Sequence, residues 1–204
     1  MQFTAALIAL SATSAAAFAP ATFGRVTTNL DANIVDTIAA LEGPGQVWGA
    51  EGIAVGKEES DFRGSDGFGL FAARLASTGV ADTLKGDGPF TVFAPTDTAV
   101  IAFEKANGEM TADVIKYCVV EGKLSASAVS SQPLVSLAGP SLVYSRKFRK
   151  DFVNDAIIGE KTFGPFADFP TGVDCDNGIV HSVGIALDPT FAVINAETGL
   201  SGAR

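Results

Sequence analysis

Apolar residues recur with a helical period in three parts of the chain. The first part follows Asp31 as a candidate cap and places four apolar side chains on one face: Ile34, Val35, Ile38 and Leu41. The second part has a broad apolar face between residues 66 and 79, and Asp66 opens the predicted helix. The third part predicts a helix from Thr98 to Ala106, which ends at an Asn-Gly pair.

Short apolar runs between turn residues predict the strands. The run from Phe90 to Phe93 has a proline on each side, as expected for a strand that is buried on both faces. Pro95 ends this strand because the residue before a proline is kept out of helical geometry. Either Thr96 or Asp97 can then cap the helix that follows.

Three later regions also have the composition of β-structure. Residues 134–144 predict two strands around a Gly-Pro turn, and residues 152–158 predict one strand. Asn177-Gly178 is a strong turn signal, and residues 179–187 after it predict the closing strand.

Three segments resemble the signature boxes of the fasciclin domain and occur in that family's order. The first is TVFAPTDTAV at 91–100, the central one contains Tyr117, and the last is DNGIVHSVGIALDP at 176–189. Cys118 stands where the family usually has histidine. The residues that match the family's motifs are Thr91, Phe93, Pro95, Thr96, Asp97, Tyr117, Asn154, Asn177, Gly178, His181 and Pro189.

The resemblance covers about residues 65–190. It implies an α+β fold, a twisted β-sandwich wedge with flanking helices, and a non-catalytic interaction module. The expected organisation is a signal peptide at 1–17, a transit-peptide-like segment at 18–30, an N-terminal extension or arm at 31–64, the fasciclin domain at 65–190 and a C-terminal tail at 191–204.

The chain carries a net charge of −9, which argues against nucleic acid as a partner because such binding needs a basic surface. No nucleophile-elbow, zinc-protease or phosphate-loop motif is present. The single histidine, His181, lies in an apolar strand without the partners of a catalytic triad or a zinc site. We therefore expect no enzyme activity and no metal, and a carotenoid is the one cofactor left open.

Cys118 and Cys175 are the only thiols of the chain. In an oxidising compartment they could form a disulfide, provided that their Cα atoms come within about 7 Å. The sequence leaves this open, and two buried free thiols are the simpler expectation.

Two segments are candidate partner-binding surfaces. Val47 and Trp48 lie in a glycine-rich apolar stretch that can either pack on the domain's own core or present an anchor to a partner. In the second segment Phe148 is surrounded by basic residues, which are Arg146, Lys147, Arg149 and Lys150. Such charges can protect a strand edge from pairing, or they can dock an acidic partner or anionic lipid head groups.

The N-terminus predicts a targeting signal. The first seventeen residues carry no charge and end in three alanines, as in a cleavable signal peptide. The following Phe18-Ala19-Pro20 resembles the bipartite presequences of algae with secondary plastids. We therefore expect a plastid protein of the stroma or thylakoid lumen, without a transmembrane segment after signal removal, and a secreted protein is the alternative.

Three functions are compatible with these patterns. The leading hypothesis is an accessory or scaffold subunit whose protein partner is a thylakoid photosynthetic complex. The second is binding of a carotenoid or another apolar small ligand in a groove lined by Phe163, Phe166 and Phe169. The third is a secreted cell-adhesion protein.

Overall fold

The computed structural model describes residues 32–44, 65–159 and 169–190, and their helices and mixed sheets confirm the α+β class. The helices are α1 (Ile34–Ala40), α2 (Gly69–Ser77), α3 (Val80–Leu84), α4 (Asp97–Asn107), α5 (Ala112–Tyr117) and α6 (Ala126–Val129). The strands are β1 (Glu42–Pro44), β2 (Ser65–Gly67), β3 (Phe90–Pro95), β4 (Val119–Glu121), β5 (Leu134–Val135), β6 (Ser141–Leu142), β7 (Tyr144–Lys147), β8 (Lys150–Val153), β9 (Ala156–Ile157), β10 (Thr171–Cys175) and β11 (Gly178–Val183).

A four-stranded sheet with the order β10-β11-β3-β4 lies at the centre. The strands of the first and last signature boxes, β3 and β11, are its parallel inner pair, in register from Phe90 opposite Gly178 to Pro95 opposite Val183. All six residues of β11 are buried, as are the last five of β3. Such burial explains why both strands are continuous apolar runs in the sequence. The remaining described strands form the sheets β1-β2, β5-β6 and β7-β8-β9.

Helix α1 supplies two fully buried side chains, Ile34 and Ile38, to the hydrophobic core. Its cap is Asn33, whose Oδ1 accepts from the backbone N–H of Val35 at 2.9 Å and of Asp36 at 3.1 Å. The helix after Asp31 is therefore present, although the expected cap was the wrong residue. The part of the chain that precedes the first signature box thus packs into the same core.

The helices α2 and α4 exchange carboxylates at their N-termini. Asp97 of α4 accepts a backbone N–H of α2, and Asp66, just before α2, accepts a backbone N–H of α4. Thr96 caps α4 as predicted, because its Oγ1 accepts from the N–H of Ala99 at 3.3 Å. The second expected cap, Asp97, instead accepts from the N–H of Leu70 in α2 at 2.7 Å. Asp66 does not open α2 but lies in β2, and it accepts from the N–H of Thr98 at 3.3 Å.

Two predicted strand regions differ in detail. The hairpin around the Gly-Pro turn is present as β5 and β6, with Leu134 opposite Leu142. The single strand expected at 152–158 is wrong, since the chain turns after Val153 and forms two antiparallel strands, β8 and β9. Asn154 makes this turn with a left-handed φ of 56°, a conformation that asparagine tolerates better than most residues.

Several predictions concern residues outside the described ranges. These are the two N-terminal targeting segments, the arm residues Val47 and Trp48, the C-terminal tail, and Phe163 and Phe166 of the expected groove. The third aromatic of that groove, Phe169, is described and is buried in the core. An added Cβ on Gly43 would lie 2.2 Å from its ring, so Phe169 packs directly on the backbone of β1.

Candidate docking site

The motif residues of the first and last boxes hold the fold together. Thr91 is fully buried, and its Oγ1 donates to the carbonyl of Gly122 at 2.6 Å and accepts from the N–H of Leu124 at 2.9 Å. Phe93 is also fully buried and stacks on the imidazole of His181 with the ring centroids 5.7 Å apart. These contacts tie β3 to its neighbours and leave neither side chain free for a ligand.

Asn177 joins three elements through one side-chain amide. Its Oδ1 accepts from the N–H of Ile34 at the start of α1 at 3.0 Å, and its Nδ2 donates to the carbonyl of Leu84 at the end of α3. Gly178 follows in a place without room for a side chain, because an added Cβ would lie 2.0 Å from the carbonyl oxygen of Phe90. This box is therefore a structural junction.

The central box is anchored in the same way. Tyr117 is fully buried, and its hydroxyl accepts from Nδ2 of Asn154 at 3.0 Å. The Oδ1 of Asn154 accepts from the N–H of Val143 at 2.9 Å. Burial is the main cause that raises the pKa of the Tyr117 phenol above its usual value. Of the two motif prolines, Pro95 is buried and Pro189 is half-buried.

His181 is a neutral core residue whose two ring nitrogens are both occupied. Nε2 lies 2.8 Å from the carbonyl of Leu124, while Nδ1 lies 2.9 Å from Oγ1 of Thr171 and 3.1 Å from the backbone nitrogen of Gly172. Because the carbonyl only accepts and the backbone N–H only donates, the proton is on Nε2. Burial lowers the pKa of the imidazole. Within the described ranges no three His, Cys, Asp or Glu residues form a metal-binding group.

The two cysteines are free and buried, so the disulfide that the sequence left open is not formed. The carbonyl of Cys118 accepts from Phe93 in β3, whereas Cys175 pairs with Gly178, which lies opposite Phe90. The two cysteines are therefore three strand spacings apart across the sheet and three residues apart along the strands, which separates them by roughly 15 Å or more. Burial raises the pKa of the Cys118 thiol to about 12, which makes it unreactive at neutral pH.

The basic cluster forms an exposed projection, which we call the basic hairpin: strands β7 and β8 with their connecting turn. Phe148 at the turn is 93% exposed. Lys147 and Arg149 beside it are exposed as well. Among the residues that the structure describes, only Arg146 of the four cations has an acidic partner, Asp151, at 3.7 Å. Three of the four cations thus have no acidic partner within the described ranges, and they surround an apolar tip.

The basic hairpin is built against local preferences. Its two turn residues, Phe148 and Arg149, have left-handed φ values of 51° and 62°. A two-residue turn with both φ values positive strongly favours Asn-Gly, and other residues there are strained by about 1 kcal/mol or more each. Lys147 also lies directly opposite Lys150, a like-charge pair that destabilises a ladder.

The second surface feature of the described residues is a shallow groove along α4. It has a volume of about 360 Å³ and is lined by apolar side chains, among them Phe103 and Ile185, and by the acidic residues Asp155 and Asp188. Ile185 is 50% exposed. No sequence pattern predicts this groove, because its walls come from positions that are far apart in the chain.

Sequence reasoning also missed an ion-pair cluster between α2 and α4. Arg74 binds Glu104 in a bidentate manner, with Nε–Oε1 at 2.7 Å and Nη2–Oε2 at 3.1 Å, and it reaches Glu109 with its other nitrogen. The hydrogen bond from Arg74 is the main cause that lowers the pKa of Glu104. The spacing of these residues in the sequence, about a helix and a strand apart, carries no signal for such a pair.

The family model of the fasciclin domain matches residues 66–189. The chain belongs to the fasciclin domain family. Domains of this family are generally non-catalytic and typically serve protein–protein or cell-adhesion interactions. In this fasciclin domain the motif residues are used by the fold, and the exposed basic hairpin and the groove are candidate surfaces for a partner among the described residues.

Two kinds of relative are similar to this fasciclin protein. Protein sll1483 of Synechocystis sp. is 30% identical over 135 residues, which cover 62% of this chain and 69% of that protein. Transforming growth factor-beta-induced protein ig-h3 of Sus scrofa is 30% identical over 135 residues, but these cover only 18% of its length. The ig-h3 protein of Oryctolagus cuniculus is 27% identical over the same length.

Proposed function

We propose that this fasciclin protein is a non-catalytic accessory or scaffold subunit that associates peripherally with a thylakoid photosynthetic complex. The family's typical interaction role supports the first part of this proposal. The presequence-like segment after Phe18 supports the plastid. Among the described residues no helix is long and apolar enough to cross a membrane.

The observation that carries the docking role is the basic hairpin. Its apolar tip and unpaired cations are set on a chain whose net charge is −9, so the charge contrast directs the hairpin toward an acidic surface. The buried motif residues offer no comparable site, since their polar atoms are used within the fold.

The test compares tagged wild-type protein with a variant of the basic hairpin in native gels of isolated thylakoids. Lys147→Glu with Arg149→Glu reverses two charges at the tip, and Lys85→Glu with Lys105→Glu makes the same change at exposed lysines on α3's end and α4. We expect wild type and the control to migrate with a larger complex and the hairpin variant to migrate alone. Wild type found only as a free monomer would refute the proposal.

The groove along α4 favours a second candidate function, the binding of a small apolar ligand such as a carotenoid. Its volume of about 360 Å³ is near the lower end of the range of ligand sites. The test compares the visible absorbance of the purified native wild-type protein with that of the Ile185→Asp variant. A colourless wild-type preparation counts against a carotenoid.

The secreted adhesion protein remains the third candidate, and the similarity to the ig-h3 proteins is what supports it. A fluorescent fusion of residues 1–30 separates it from the plastid proposal. Import of the fusion into the plastid supports the leading proposal, whereas delivery to the cell surface supports adhesion.

A further inference from the structure

We propose that the basic hairpin binds the anionic head groups of a lipid bilayer, with Phe148 entering the interface between head groups and acyl chains. This inference deepens the proposed docking function and rests on it, because it names the chemistry that the hairpin contacts. It adds a direct membrane contact to the peripheral association with a protein complex.

The composition of the tip matches a bilayer interface. Phe148 is 93% exposed and stands at the outermost turn, and the four cations lie within two positions of it. An aromatic ring at the tip can enter the head-group region while lysines and arginines bind lipid phosphates at the same depth. An acidic protein surface would satisfy the cations but would also need a pocket for Phe148, whereas a bilayer needs none.

The contrast in charge between the basic hairpin and the rest of the chain favours contact through the hairpin. The net charge of the chain is −9, and the basic hairpin, with four cations and Asp151, contributes +3, so the rest of the chain carries −12 and is repelled by an anionic surface. From Val153 to Lys150, β8 extends about 10 Å, which is close to the screening length at physiological salt. The tip can therefore meet the membrane while the acidic body is held about one screening length away.

The unfavourable local structure of the basic hairpin also supports contact with anionic head groups. Anionic head groups would relieve the repulsion between the facing Lys147 and Lys150. The strained turn keeps Phe148 and Arg149 at the tip, where Asn-Gly would be the stable choice. Local rules are usually broken where function requires it.

The experiment measures flotation of the full chain with vesicles of phosphatidylcholine that contain one third phosphatidylglycerol, and with pure phosphatidylcholine vesicles. We expect binding to the anionic vesicles that is lost at high salt, and only background on neutral ones. Removing one cation should lower the partition coefficient about fivefold. Removing the aromatic ring should lower it about tenfold.

The decisive variant combines Phe148→Asn with Arg149→Gly, which installs the turn pair that this geometry prefers. Because Asn-Gly suits this turn, a loss of vesicle binding by the variant cannot be attributed to unfolding of the hairpin. We expect the variant to lose vesicle binding while circular dichroism shows an intact fold, and Lys105→Glu to bind as wild type does.

Insertion of the tip has its own readout. In a Trp48→Phe background, Phe148→Trp should be quenched by brominated lipids only in anionic vesicles. An unquenched tryptophan, unchanged binding of the turn variant, or absence of wild-type binding at low salt would each overturn the inference. The last outcome, together with intact association in thylakoid gels, would assign the hairpin to an acidic protein surface instead.

Discussion

The buried imidazole of His181 makes the stability of the folded protein depend on pH. Burial lowers the pKa of His181 in the folded state, while the unfolded state takes up a proton near the ordinary value of about 6.5. Below that pH the unfolded state therefore binds more protons than the folded state. The contribution of His181 to the free energy of unfolding is therefore fully present above about pH 6.5 and is lost as the pH falls below it.

The magnitude follows from proton linkage. If the folded imidazole stays neutral, lowering the pH from 7.5 to 5.5 reduces the free energy of unfolding by up to about 1.4 kcal/mol. The chain contains one histidine, so the effect belongs to one residue. The carboxylate of Glu104, whose pKa is lowered by Arg74, contributes stability that is lost only at more acidic pH.

Urea unfolding followed by circular dichroism at constant ionic strength measures this slope. His181→Gln is the matched control, because the amide can still donate to the carbonyl of Leu124 but cannot take up a proton. We expect the variant to be less stable at pH 7.5 and nearly insensitive to pH down to 5.5. Equal slopes for the two proteins, or no loss of stability in the wild type, would refute the assignment of a buried neutral imidazole.

Three further predictions concern backbone geometry and capping. Phe148→Asn with Arg149→Gly should raise the free energy of unfolding by about 1–2 kcal/mol, because it relieves two left-handed residues; an unchanged urea midpoint contradicts the strain. Gly178→Ala should lower it by about 3 kcal/mol or more, since the new Cβ meets the carbonyl of Phe90, and wild-type stability would show that β3 can yield. Asp97→Ala should cost about 1 kcal/mol in urea titrations, whereas Asp97→Asn should be nearly neutral because asparagine also caps; equal losses would exclude capping as the cause.

The two central strands were predictable as apolar runs, but their order in the sheet and their partners were not. Residues 90–93 and 179–183 form nearly continuous apolar runs because β3 and β11 are covered on both faces, and this property is local to the sequence; the closing strand expected to reach 187 ends at Val183. The cap at Thr96 is equally local. The exchange of Asp66 and Asp97 between helices could not be predicted, since it depends on two helix N-termini that meet only after folding.

Short elements escaped prediction for a physical reason. Helices α3, α5 and α6 have five, six and four residues, fewer than two turns, so no apolar period can be recognised in them. Such helices form because tertiary contacts hold them, as the buried Val80 and Leu84 of α3 indicate. The groove along α4 was missed for the related reason that its lining is assembled from distant segments.

The sequence indicated the basic hairpin by its cations around one phenylalanine, but it did not indicate the two-residue turn that places them. A run of cations around one phenylalanine gives no turn signal, because Phe-Arg is an unfavourable pair for a two-residue turn. In the same protein Asn154 and Asn177 stand where a turn or a junction needs them, with their amide groups hydrogen-bonded inside the fold. The described chain thus follows local rules in its core and breaks them at the tip of the basic hairpin. Since strain of this kind persists only where the surrounding structure or a function maintains it, and the tip has little surrounding structure, the contrast favours a binding role for Phe148 and Arg149.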